Sequence, residues 1–257
     1  MSARLDHVVV VVRSLEQASR EFAAAGFTVI PGGVHDATPT QNALVCFADG
    51  SYLELLATRD LATRDELSAL RAGGGWERHL RSASAVARRF LPALAGPDGV
   101  ADWVLRAATL PPHAAALRRL GAQAAGPVPM ERVRPDGERL AWELLLPESR
   151  LLPFWIADRT PRARRVPGEA AATTHANGAT ALALVRLRAS AVPLAALLLG
   201  DALGTRPALR PGGTSVIEAD GFTLEFASGE PEGAFEVGIR GTGALPESLA
   251  ALGVTAG

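Results

Sequence analysis

Hydrophobic positions along this chain fall into short runs that recur in one order. Leu5-Asp6-His7 leads into five valines, Val8 to Val12, and Ser51-Tyr52-Leu53-Glu54-Leu55-Leu56 forms a second aliphatic run; both have the length and residue types of strands. Between them Ser14 is placed to cap a helix whose apolar positions Leu15, Ala18, Phe22 and Ala25 approximate the 3.6-residue period, with Gly26 as its stop. Phe27 to Ile30 reads as a strand, Pro31-Gly32-Gly33 as a turn, Ala43 to Phe47 as a strand, Asp49-Gly50 as a hairpin turn and Tyr52 to Leu56 as a fourth strand. Residues 1–57 thus spell βαβββ.

The order then returns. Residues 58–98 are Arg-rich, interleaved with Leu61, Leu67, Leu70, Leu80, Val86 and Phe90, and read as one or two helices broken at Gly73-Gly74-Gly75. Residues 99–158 start a second module: a strand from Val100 to Ala107, a helix from Leu110 to Leu120 opened by Pro111-Pro112, then strands at Met130–Arg134, Leu140–Leu146 and Leu151–Ala157. Laying Gly121 over Gly26 places Leu110 on Leu15 and Asp102 on His7. A linker occupies residues 159–178, and residues 179–257 begin the pattern a third time and end in a truncated fourth βα unit, Phe235–Arg240 followed by Leu245–Leu252. The fold class expected is α+β, with repeated βαβββ modules forming curved mixed sheets around a cleft.

Composition removes several kinds of chemistry. All 26 basic residues are Arg, so no Schiff-base or P-loop lysine exists. The single Cys46 forbids an intrachain disulfide or a thiolate cluster, and its apolar neighbours make it a buried spectator. A net charge of −1 gives no global attraction to nucleic acid. No apolar run approaches the roughly 18 residues of a membrane helix, and the opening residues lack a signal-peptide core, so the chain is expected in the cytoplasm.

The candidate chemistry sits on the strands. A strand alternates its side chains, so His7 and Glu54 can both point away from the helix-packed face, and an imidazole and a carboxylate on neighbouring strands suit a divalent ion. With Asp102 they make one imidazole and two carboxylates, a set suited to Mn, Fe, Ni or Zn. His175, before Asn177-Gly178, is the other candidate third ligand. The bland reading is a hydrogen-bonded Glu54 and a satisfied His7. His35, Thr40 and Asn42 belong to a polar loop fit for substrate recognition. Trp103, Trp142 and Trp155 wall a pocket or fill the core. His79 and His113 read as surface residues, and Arg162, Arg164 and Arg165 as a solvated linker. Glu225 copies the setting of Glu54, with Leu182 where His7 would be.

Leu5-Asp6-His7-Val8-Val9, Gly32-Gly33-Val34-His35 with Thr40-Gln41-Asn42, Asp49 to Leu56, Asp98 to Trp103, Pro153 to Ile156 and His175 to Gly178 together resemble the vicinal oxygen chelate superfamily, the fold of glyoxalase I and the extradiol dioxygenases, and more narrowly its glyoxalase-like domain branch. The resemblance spans residues 4–180. It implies paired modules around a cleft, His7 and Glu54 as the first module's metal ligands, and Asp102 at the His7-like position of the second. There the Glu54-like position falls on Trp155 or Ile156, neither of which can ligate. Two functions follow as expectations. One is a metal-dependent lyase or isomerase, with Glu54 or Asp102 as base and Trp103 and His175 among the residues facing a small-molecule substrate. The other is a metal-free protein that binds an aromatic metabolite or antibiotic. The resemblance also carries a homodimer expectation, and neither nucleic acid nor a membrane is expected as a partner.

Overall fold

In the computed structural model, residues 4–35, 38–133, 137–210 and 213–257 are described. The valine run is β1 (Arg4–Val11), buried from Leu5 onward. Ser14 caps α1 (Leu15–Ala24), its Oγ accepting the Gln17 N–H at 3.2 Å. The strands β2 (Ile30–His35), β3 (Thr40–Cys46) and β4 (Tyr52–Thr58) follow. Residues between the modules form α2 (Leu61–Ala72), α3 (Trp76–Ser82) and α4 (Ala85–Leu94). The second module is β5 (Gly99–Arg106), α5 (Pro111–Arg119), β6 (Ala124–Val133), β7 (Arg139–Pro147) and β8 (Phe154–Asp158). Beyond α6 (Ala170–Thr173) come β9 (Ala181–Ala189), α7 (Val192–Leu203), β10 (Ala208–Leu209), β11 (Ser215–Glu218), β12 (Thr223–Ser228), β13 (Gly233–Arg240), α8 (Glu247–Ala251) and β14 (Val254–Ala256).

Two mixed sheets result, in the α+β class expected. The first has eight strands in the order β2-β3-β4-β1-β5-β8-β7-β6, and the second six, in the order β10-β11-β12-β9-β13-β14. In the first sheet β1 and β5 lie antiparallel at the centre, and their register carries the repeat: His7 faces Val104 and Val9 faces Asp102. The superposition that lays Asp102 on His7 lays Val104 on Val9, so it exchanges these two pairs. The modules are therefore related by a two-fold between β1 and β5. The sheet curls until its outermost strands approach: a Cβ on Gly33 of β2 would lie 2.5 Å from Nη1 of Arg132 on β6.

Two local expectations change. The strand read at Phe27–Ile30 is displaced to Ile30–His35 and runs through Pro31-Gly32-Gly33, which is no turn. The outermost strand tolerates a proline, and a register shift between Pro31 and Val34 absorbs the glycines. The insert holds three helices, because Ser84 interrupts it a second time and caps α4 through the Ala87 N–H.

Alternation along β1 sends Val8 and Val10 to one face and Val9 and Val11 to the other. The convex face packs Val8, Val10, Trp103 and Leu105 with α1 and α5 and against Leu182, Val185 and Val237 of the second sheet, one continuous core. The concave face packs Val9, Val11, Val104, Phe154 and Ile156 against Leu67, Val86, Leu91 and Leu94 of the insert, which fills one end of the hollow. Trp103 is fully buried on the convex side, and its indole N–H has no partner among the described residues, so it contributes apolar volume alone. Trp103→Ala is accordingly expected to cost about 3–5 kcal/mol in urea unfolding and Trp103→Phe much less; equal effects would argue against a purely packing role.

Candidate functional site

The unfilled part of the concave face is an open-mouthed cavity of about 830 Å³. Leu44, Leu56, Val86, Phe90, Met130, Trp142, Leu144, Phe154 and Ile156 supply its apolar walls, drawn from both modules and α4. His7, His35, Thr38, Thr40, Asn42, Tyr52, Glu54, Arg132 and Arg165 supply the polar ones. Of the residues singled out in the sequence, His7, Glu54, His35, Thr40 and Asn42 therefore share one wall.

His7 is fixed by a bulge. Between Leu5 and His7 strand β1 advances two residues while β5 advances one, from Leu105 to Val104, so Asp6 is the extra residue. Its fully buried carboxylate accepts from His7 Nδ1 at 2.9 Å, from Arg162 Nε at 3.0 Å and from Arg165 Nη2 at 3.5 Å. Arg165 also bridges both oxygens of Asp158 at 2.7 and 3.0 Å and donates to the Tyr52 hydroxyl at 2.9 Å. The Tyr52 ring stacks on His7 with centroids 4.5 Å apart. On the cavity side, His7 Nε2 lies 3.4 Å from Glu54 Oε2. Asn42 Nδ2 donates to the other oxygen of Glu54, while Asn42 Oδ1 accepts the Gly33 N–H at 2.8 Å. His35 Nδ1 and Thr40 Oγ1 are 2.8 Å apart, extending the polar wall.

These contacts set the charges. Burial opposes ionisation of Asp6, but Arg165, the His7 hydrogen bond and Arg162 outweigh it and hold the carboxyl well below its usual range. Burial likewise opposes charge on His7, yet its bonds to Asp6 and Glu54 raise it above 6.5. Burial works against the Glu54 carboxylate too, and His7, His35 and Asn42 prevail, lowering it from 4.5 to about 2. The wall thus sets the His7 imidazole between two carboxylates, an arrangement that favours its protonated form. Glu54 is a strong hydrogen-bond acceptor and a feeble base, far from the near-neutral value that suits proton abstraction.

The remaining expected ligands lie elsewhere. Asp102 does occupy the position related to His7, but both its oxygens are bound by Arg89 of α4, at 2.6 and 2.7 Å, and it also accepts the Trp103 N–H. Arg89 in turn donates to the carbonyls of Pro147, Ser149 and Leu152, so the pair is a buried strut and not part of the cavity wall. The Glu54-like position is Phe154 rather than Trp155 or Ile156, since β8 pairs Phe154 with Val104 as β4 pairs Glu54 with Val9. Trp103 is in the convex core. His175 is there too, accepting the Thr28 N–H at Nδ1 and donating from Nε2 to the Cys46 carbonyl, each at 2.9 Å, a pin between the linker and the first module. His113 is buried and stacked on Trp155, not on the surface. Arg162 and Arg165 are drawn inward by Asp6 instead of solvated. Glu225 pairs with Arg186 and Arg210, and the residue two before Arg186 on β9, where His7 stands before Val9, is Leu184.

The family's divalent ion is a poor fit to these donors. His7 and Glu54 are close enough to share an ion, but catalytic ions ordinarily take three protein ligands. The second half of the set is spent on an Arg89 ion pair and replaced by a phenyl ring. Among the described residues no three His, Cys, Asp or Glu side chains are grouped to hold a metal. Phe90, Met130, Arg132 and Phe154 are wall residues that the sequence reading did not pick out. Met130, Arg132 and Phe154 come from strands whose place is set by sheet closure, and Phe90 from the insert helix α4, although the two-fold alone would have pointed to Phe154.

A curled eight-stranded sheet of two βαβββ modules, with His7 and Glu54 on its inner face, defines a protein of the vicinal oxygen chelate fold. A model of the glyoxalase-like domain family matches residues 5–203, and the chain belongs to that family. A hypothetical protein from Staphylococcus aureus has the same fold at 14% identity, with a TM-score of 0.71 over 93% of this chain and 91% of its own. A xylose isomerase-like TIM barrel/4-hydroxyphenylpyruvate dioxygenase fusion protein matches at 12% identity and a TM-score of 0.53, over 94% of this chain but 38% of its own. No curated protein matches by sequence. Among the described residues no helix is long and apolar enough to cross a membrane.

Two outcomes are expected. The stabilisation owed to His7, whose value is raised, is full below 6.5 and fades as pH climbs through its folded value; that owed to Glu54 is full above 4.5 and fades as pH falls through about 2. Their joint contribution therefore peaks between pH 4.5 and 6.5, and the stability gap between wild type and Glu54→Gln, read by denaturant unfolding, is widest in that window. Separately, Asp102→Ala strands a buried guanidinium and is expected to cost about 3–5 kcal/mol, whereas joint replacement of Arg89 and Asp102 by Met and Leu recovers most of it.

Proposed function

We propose that this chain is a metal-independent small-molecule binding protein, whose ligand has an apolar or aromatic body and an oxygen-bearing polar end. The observation that carries this reading is the division of the cavity: imidazole, carboxylate, amide, hydroxyl and guanidinium groups on one side, facing walls of aliphatic and aromatic side chains. Such a cavity orients a ligand through a few polar contacts and gains affinity from apolar burial. His7, Glu54, Asn42, His35 and Thr40 would hold the oxygen function, the imidazole N–H donating and Glu54 accepting. Trp142, Phe90 and Phe154 would flank the body. The depressed Glu54 carboxyl favours recognition over proton abstraction, which is why binding is preferred here to the lyase or isomerase activity otherwise open to the family.

Tryptophan fluorescence titrated with aromatic ketones, phenols and hydroxy acids is the test. A binder in the panel quenches the wild type saturably, and Trp142→Phe removes most of the signal. Asn42→Ala weakens binding about 10- to 100-fold, the cost of a buried bond to a charged group. Chelator treatment leaves affinity unchanged. Stoichiometric retention of a divalent ion, with turnover that needs it, would overturn the proposal.

A further inference from the structure

A second feature lies outside the cavity, where the start of β1, the end of β5 and the turn at Arg162–Arg164 meet. Arg4 and Arg106 are direct cross-strand partners on β1 and β5, and like charges so placed repel. Arg162 approaches the same place, and all three line one open groove of about 750 Å³ with Asp158. The acids nearby already have partners, two of them among these arginines, and none is hydrogen-bonded to Arg106. Asp158 gives both oxygens to Arg165, Asp220 pairs with exposed Arg4 at 2.9 Å, Asp49 accepts from Ser51, and buried Asp6 takes Arg162, Arg165 and His7. Arg106 is half-buried, and among the described residues no acceptor is hydrogen-bonded to its guanidinium.

We propose that this groove binds a small oxyanion, a phosphate or carboxylate group, held by the Arg106 guanidinium with Arg4 and Arg162 beside it. A planar fork without an acceptor matches two oxygens of such a group, and the anion offsets the repulsion between Arg4 and Arg106. Burial, and after it Arg162, push the Arg106 guanidinium below its ordinary value, the effect expected of a partly desolvated cation facing another cation. The flanking Asp158 and Asp220 favour a small anion over a polyanion such as nucleic acid. The groove is separate from the ligand cavity, but Arg162 touches both systems, since its Nε holds Asp6 and Asp6 holds His7.

Calorimetry and thermal melting of the full chain with inorganic phosphate and with malonate, at ionic strength fixed by chloride, test this. Wild type is expected to bind at least one of them saturably at a single site with a raised melting temperature, and the tighter of the two names the oxyanion class. Arg106→Gln weakens that binding about tenfold or more, while Arg119→Gln on the exposed end of α5 binds as wild type does. Without added anion, Arg106→Gln melts at or above wild type, because the like-charge pair is gone. No saturable binding of either anion, equal binding by Arg106→Gln, or an anion-free Arg106→Gln that melts well below wild type would each overturn the proposal.

Discussion

A carboxylate with no exposed surface lies at the start of the central strand, and the architecture around it exists to keep it charged. Burying an unpaired carboxylate costs several kcal/mol, enough to cancel much of a domain's net stability. Asp6 avoids that penalty because the linker returns two guanidinium groups to it across the sequence, and because the bulge turns it onto its own neighbour, His7. Arg165 extends the network to Asp158 at the end of β8 and to Tyr52 at the start of β4. The first strand, both modules and the linker are thus tied at one point, and His7 is held in one orientation with Nε2 toward the cavity.

The two modules share a backbone plan and have diverged in chemistry. One half keeps an imidazole and a carboxylate on its inner face. In the other half the related positions are an aspartate and a phenylalanine, and the aspartate is consumed by the helical insert. Arg89 makes five hydrogen bonds to Asp102 and three carbonyls, anchoring α4 against the sheet so that Val86 and Phe90 form a cavity wall. The same residue that closes the hollow also withdraws a ligand from it. That ion pair and the phenyl ring of Phe154 leave the second half of the cavity largely apolar, opposite the polar, paired wall of the first.

The third module is a buttress. Its sheet presents Leu182, Val185, Leu187 and Val237 to the convex face of the first sheet, while the other face carries Arg186, Arg210, Glu218, Glu225 and Glu236 in mutual ion pairs. By covering Trp103 and Leu105, it lets the first sheet be hydrophobic on both faces, which the unbroken valine run of β1 requires.

Sequence alone determined the repeat, the α+β class and the location of the polar wall, because side-chain alternation and the spacing of helix stops are local properties. The superposition of Gly121 on Gly26 holds to the residue in the pairing of β1 with β5. His7, Glu54, His35, Thr40 and Asn42 were legible since all five come from one module of about fifty residues. Tertiary structure decided what each charged group was for. Nothing local distinguishes Asp102, a strut for Arg89, from a metal ligand, or His175, a pin between linker and first module, from a substrate contact. Nor does composition separate Trp142 on the cavity wall from Trp103 in the core. A charge or a ring acquires its role from the partner that reaches it, and here those partners are brought by an insert, a linker and a sheet closure that bring together residues up to 159 positions apart.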